Sequence, residues 1–135
     1  MANTVQVDIL TAERTVYSEE VEMVIVPAID GDLGVLPNHA PLVTGLDIGK
    51  IRIKKDGEEI KLATSGGFME VKPDQVNILA DTAEFPDEID IKRAKDAKNR
   101  AENRLQKNKD RINDTRAEVA LQRAINRIDV ANKGE

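Results

Sequence analysis

Six arginines in the last fifty residues fall into two triplets with one spacing: Arg93, Arg100 and Arg104, then Arg116, Arg123 and Arg127. At about 100° per residue, offsets of this kind keep each triplet within roughly 40° on a helix. Two such stripes on adjacent antiparallel helices would make a cationic cleft suited to a polyanion. Empty, two guanidinium groups about 6 Å apart repel by roughly 0.7–3 kcal/mol before salt screening. A bound triphosphate reverses the sign. The competing reading is two solvated faces laced with acids, but the second helix offers only Asp114, Glu118 and Asp129 nearby. Beside the first triplet stands the string Ile89-Asp90-Ile91-Lys92-Arg93-Ala94. Its Asp90 is an acceptor for a ligand or, alternatively, a helix cap favoured by the macrodipole.

The elements that must position these residues are helical. After Pro86, Ala94, Ala97, Ala101 and Leu105 recur at three- and four-residue steps with charged residues on the other face, the period of an amphipathic helix. Either Asp87 or Asp90 can cap its start. Gln106 to Asp110 is polar and reads as a turn, and Ala117, Leu121, Ala124 and Ile128 make a second stripe. The expected element is an antiparallel two-helix hairpin with an alanine seam. Burying an alanine methyl is worth on the order of 0.8 kcal/mol against roughly 2–3 for Leu or Ile, so such a seam is weak. A ligand at ten times its Kd adds about 1.4 kcal/mol, a comparable amount. The hairpin is therefore expected to act as a ligand-controlled switch.

The front of the chain reads differently. Val5, Val7 and Ile9 alternate with Gln6 and Asp8, the period of a strand with one buried face. Further short runs lie at 21–26, 33–36, 51–55, 59–64, 68–71 and 75–80, separated by turn signals such as Asp30-Gly31-Asp32, Asp56-Gly57 and Pro73-Asp74. Many short strands at this spacing predict an antiparallel sandwich or flattened barrel. Lys55-Asp56-Gly57-Glu58 is the best hairpin candidate, because Asp-Gly accepts positive φ. The fold class expected is α+β: an N-terminal antiparallel β-sandwich over 1–85, then the C-terminal antiparallel two-helix hairpin over 86–135.

Composition narrows the chemistry. Residues 1–85 carry a net charge of −8 and residues 86–135 one of +3, so an acidic platform bears a cationic arm. With no cysteine, thiolate catalysis, disulfides and common zinc ribbons are excluded, and a protein of the cytosolic side is expected. No run approaches the roughly 20 apolar residues of a membrane span, so no direct membrane insertion is expected. Only Tyr17, Phe68 and Phe85 are aromatic, and stacking surfaces for nucleic acid are missing. His39 is the single histidine, so no histidine triad or multi-histidine metal site exists; in its loop it reads as structural. Ser65-Gly66-Gly67 lacks the rest of a phosphate-loop signature and reads as a turn. Glu19, Glu20 and Glu22 read as a solvated edge. No catalytic constellation is evident, and neither a catalytic residue nor a metal site is expected.

Two stretches, Gly31-Asp32-Leu33-Gly34-Val35-Leu36-Pro37-Asn38-His39-Ala40-Pro41-Leu42 and Ser65-Gly66-Gly67-Phe68-Met69-Glu70-Val71, closely resemble the signatures of the epsilon subunits of bacterial F-type ATP synthases. The resemblance runs from end to end. It implies a non-catalytic central-stalk rotor subunit that couples the catalytic head to the c-ring of a proton-translocating complex. Its implied partners are the gamma subunit, the c-ring and the catalytic beta and alpha subunits, and its implied place is peripheral, on the cytoplasmic side of the cell membrane. The sandwich would dock on gamma and the c-ring, and the hairpin would inhibit ATP hydrolysis. Ile89-Asp90-Ile91-Lys92-Arg93-Ala94 matches the ATP-binding motif of ATP-sensing members, in which ATP stabilises the folded-down arm. By position the resemblance assigns Glu84, Ile89, Asp90, Arg93, Ala94, Arg100, Arg123 and Arg127 to ATP, with Arg116 a less certain addition. Asp90 would accept from the adenine amino group, Ile89 and Ala94 would offer an apolar shelf, and the arginine forks would hold phosphate oxygens; Mg²⁺ can accompany the nucleotide. The rival is a free-standing nucleic-acid-binding module using the basic hairpin. Its binding would fall steeply with salt.

Overall fold

The computed structural model describes residues 3–107 and 111–132, with backbone alone for 111–113. The chain divides into two compact units, Met1–Glu84 and Phe85–Glu135. The first is built from ten strands: β1 Val5–Leu10, β2 Thr15–Val21, β3 Met23–Ala28, β4 Gly31–Val35, β5 Leu42–Leu46, β6 Gly49–Lys55, β7 Glu58–Thr64, β8 Gly67–Lys72, β9 Gln75–Ala80 and β10 Ala83–Glu84. They run in the order β10-β7-β6-β3-β5-β8-β9-β1-β2, with β4 paired to β3.

In four strands, β1, β6, β8 and β9, alternation does what its period demands. Val5, Val7 and Ile9 of β1, Ile51 and Ile53 of β6, Met69 and Val71 of β8, and Val76 and Ile78 of β9 are all at most 1% exposed. They meet inside the sandwich as its core. Near one end, β2 and β6 are clasped by a Lys55–Glu19 ion pair, and Glu22 Oε1 accepts the Asp56 N–H at 2.8 Å. Two of the three carboxylates expected on a solvated edge are thus tied to the β6–β7 turn. That turn is the expected two-residue hairpin: Asp56 and Gly57 have φ of 53° and 78°, and Lys55 pairs with Glu58.

Three strands lie outside the runs expected from the alternation. In β2 the outward Glu19 and Glu20 hide the buried Tyr17 and Val21. In β5, Gly45 interrupts the pattern, because the Ile29 side chain lies across it where a Cβ would be. β10 has only two residues, held by pairing Ala83 with Thr64 and Glu84 with Ala63. The ladders are antiparallel except one: β1 and β9 run parallel, Val7 beside Val76 and Ile9 beside Ile78. A parallel neighbour needs a long connection, and here the whole span 11–74 supplies it. At the Ser65-Gly66-Gly67 turn, Gly67 has φ of 137° and a Cβ there would overlap the Leu79 carbonyl. His39 Nδ1 lies 2.7 Å from the Ala40 carbonyl oxygen, a local contact.

The second unit begins with a 3₁₀ turn, Pro86–Glu88, and continues as α1 Ile91–Lys107 and α2 Arg111–Ala131. Gln106 and Lys107, expected in the interhelical turn, still belong to α1, and residues 108–110 lie outside the described residues. α1 and α2 pack on each other, and α2 also packs on the 3₁₀ turn that precedes α1. That second contact places the two ends far apart in sequence side by side, as an antiparallel pair requires. Ala94, Ala101, Ala117 and Ala124 are at most 3% exposed and form the seam. Ala97, Leu105, Leu121 and Ile128 are only half-buried at its margins.

Candidate functional site

The start of α1 is held by two successive carboxylate locks. Glu88 Oε1 accepts the Phe85 N–H at 3.0 Å while the Glu88 N–H donates to the Phe85 carbonyl at 3.0 Å. Two residues later, Asp90 Oδ1 accepts the Arg93 N–H at 3.1 Å and the Asp90 carbonyl accepts from Ala94 at 3.0 Å. Of the two capping candidates, Asp90 is therefore the N-cap of α1 and Asp87 is not. The cap occupies one carboxylate oxygen. An ionised carboxylate has about four lone-pair sites, and exposed Asp90 keeps capacity for a ligand donor.

Ile89 is 7% exposed and Ala94 fully buried. Both side chains turn inward rather than outward as a shelf, so their clearest work is to seat the turn and let α2 approach. Glu84 stands on β10, half-buried, in the sandwich unit; proximity in sequence rather than a shared element links it to the rest.

The arginines are placed by the seam. Arg93 precedes Ala94 and Arg100 precedes Ala101, just as Arg116 precedes Ala117 and Arg123 precedes Ala124. At about 100° per residue, every arginine of both triplets lies roughly 70–110° from its seam in the same rotational sense, seen from its own N-terminus. Turning one helix end for end, as antiparallel packing does, brings both stripes to one flank of the pair; parallel packing would put them on opposite flanks. Arg93, Arg100, Arg104, Arg116 and Arg123 are exposed and Arg127 is half-buried. Arg116 and Arg123 also line a common groove of about 580 Å³ with Thr115 and Val119. That groups Arg116 with Arg123, and Arg104 joins the flank although the resemblance assigned it nothing.

A flank of six guanidinium groups can hold an anion with several oxygens, or can stand as a solvated face. Guanidinium forks match phosphate geometry in pairs. Among the described residues, no group of three or more His, Cys, Asp or Glu is placed to hold a metal ion, and no helix is long and apolar enough to cross a membrane. Glu88 is the residue that sequence reading passed over. Its partner position holds Phe85 instead of the Ser or Thr of a capping box, so the pattern was not recognisable.

Residues 4–86 match the family model of the ATP synthase delta/epsilon chain beta-sandwich domain, and residues 87–132 match that of the long alpha-helix domain. The chain belongs to the ATP synthase delta/epsilon chain family. The ATP synthase epsilon chain of Desulforamulus reducens is 53% identical over 131 residues, which cover 97% of this chain and 99% of that one. That of Bacillus velezensis is 56% identical over 128 residues, 95% and 97% of the two chains. An epsilon chain of this family is a non-catalytic part of the synthase. A chain in the structure of Euglena gracilis mitochondrial ATP synthase, containing OSCP, F1 and the c-ring, superposes with a TM-score of 0.80 at 23% identity, covering 90% of this chain and 78% of that one. A chain of the Tetrahymena thermophila mitochondrial central stalk and c-ring gives 0.61 at 12% identity, covering 95% and 96%. At those identities the likeness is one of fold.

Proposed function

We propose that this delta/epsilon family chain is a central-stalk rotor subunit whose helical hairpin senses ATP and restrains ATP hydrolysis. The sandwich docks on the gamma subunit and the c-ring, which keeps the chain peripheral on the cytoplasmic side of the cell membrane. ATP lies along the arginine flank. Asp90 accepts from the adenine amino group, Arg93 and Arg100 act from α1, and Arg116, Arg123 and Arg127 act from α2. Ile89 and Ala94 set the floor beneath them. Mg²⁺ arrives with the phosphates, not on a protein site. When ATP leaves, repulsion across the flank opposes the weak alanine seam, and the hairpin opens toward the alpha and beta subunits to block hydrolytic rotation.

The observation that supports this reading most is the common flank. Both helices carry their arginines on the same rotational side of the seam, and antiparallel packing merges them into one anion surface. The test is calorimetric titration of the isolated chain with ATP, beside Arg93→Ala from α1 and Arg123→Ala from α2. Each substitution should weaken binding about tenfold, the value of one charge-assisted contact. If only one helix matters, the shared flank is wrong; if wild type takes up no ATP, the whole reading falls.

A further inference from the structure

We propose that Glu88 is a positioning residue for the nucleotide base, acting through the backbone that carries Ile89 and Asp90 and without touching the ligand; this rests on the ATP-binding reading above. Glu88 makes a reciprocal pair with Phe85. Its carboxylate accepts the Phe85 N–H and its own N–H donates to the Phe85 carbonyl, both at 3.0 Å. Pro86 pre-sets φ at the first position of this turn, and the Ile89 N–H closes it on the Pro86 carbonyl at 3.3 Å. Phe85 is extended, with φ −72° and ψ 158°, so the turn has one definite entry angle. Asp90, the residue after Ile89, already accepts the Arg93 N–H. The segment 85–93 is thus pinned at both ends by carboxylates, and the second pin, Asp90, is the residue proposed to meet the base.

The geometry separates two jobs on one surface. The arginine stripes are held by α1 and α2 and grip phosphates whatever the turn does. The base side depends on where the turn presents Asp90. Losing the Glu88 lock frees the turn without breaking a helix or the alanine seam, so it should weaken recognition of the base and leave recognition of the phosphate chain intact.

The experiment measures the affinity of the full chain for ATP and for inorganic tripolyphosphate, in wild type, Glu88→Ala and Glu88→Gln. Glu88→Ala should weaken ATP about fivefold, the value of one ordinary hydrogen bond, while tripolyphosphate binding changes by less than about twofold. Glu88→Gln retains an acceptor oxygen and should restore the wild-type ratio of the two affinities. A general loosening of the hairpin would weaken both ligands together, and removal of a nearby negative charge would strengthen both. Either outcome, or an unchanged ratio in Glu88→Ala, overturns the positioning role while leaving ATP binding itself in place. Absence of ATP binding in wild type would instead remove the reading on which it stands.

Discussion

Asp90 caps α1 and, on the reading proposed above, also meets ATP, and a pair of substitutions separates the two roles. As N-cap of α1 it accepts the Arg93 N–H at 3.1 Å through Oδ1; as a ligand contact it would use its remaining lone pairs. Asp90→Asn keeps a good capping oxygen, since Asn and Asp cap about equally well. With its carbonyl committed to Arg93, however, the amide presents N–H groups toward the adenine amino group, a donor facing a donor. Asp90→Ala removes both functions. Loss of the cap costs α1 about 1 kcal/mol, and loss of a hydrogen bond to a charged acceptor at an exposed site costs about 1–2 kcal/mol, or roughly 5- to 30-fold in affinity. Asp90→Asn should therefore keep the Arg93 amide as protected as in wild type, yet bind ATP roughly 5- to 30-fold more weakly. Asp90→Ala should show the same affinity loss and, in addition, faster hydrogen exchange at Arg93 and its neighbours. Calorimetric ATP titration and residue-resolved exchange by NMR read the two effects independently. If Asp90→Asn binds ATP within twofold of wild type, the carboxylate is a helix cap and nothing more.

Other perturbations test the frame. Ala101 is 2% exposed in the seam, and Ala101→Leu forces the helices apart at a cost of about 1–3 kcal/mol; thermal unfolding should show the hairpin transition shifted downward and the sandwich transition unmoved. Asp8 is held below the ordinary carboxylate range, first by the Ser18 hydroxyl and then by the Gln6 and Gln75 amides, against the opposing effect of burial. A depressed folded value means its stabilising contribution is complete above the unfolded value of 3.8 and disappears as pH falls through the folded one; urea melts of Asp8→Asn should thus show a flatter acid limb than wild type below about pH 4. Gly67→Ala, at φ 137° and against the Leu79 carbonyl, should cost at least about 2 kcal/mol, whereas Gly57→Ala, with open space around it at φ 78°, should cost about 1 kcal/mol; equal effects in denaturant melts would contradict the close approach at Gly67.

Local periodicity carried much of the fold because its causes are local. Alternation in β1, β6, β8 and β9 and the Asp56-Gly57 turn were legible from side-chain type and backbone preference alone. The strands that escaped notice depend on remote partners: β5 tolerates Gly45 because Ile29 covers it, and β10 exists because β7 offers an edge. The parallel β1–β9 ladder joins residues more than sixty positions apart, a pairing that no window of the chain contains. Glu88 was invisible for a similar reason. Its lock is with a backbone N–H, and any residue type but proline supplies one.

The arginine surface divides along the same line. That Arg93, Arg100 and Arg104 share a face, and that Arg116, Arg123 and Arg127 share another, follows from 3.6 residues per turn and from nothing else. The residue preceding each buried alanine must lie about a quarter turn from the seam. Whether the two faces become one surface is a different question, because rotation about a helix axis changes sense when the helix is reversed. Packing α2 back along α1 and onto the 3₁₀ turn joins the stripes; the same rotational offset in a parallel pair would hold them apart. Charge spacing is written in the chain, whereas the convergence of those charges is a property of how two helices meet.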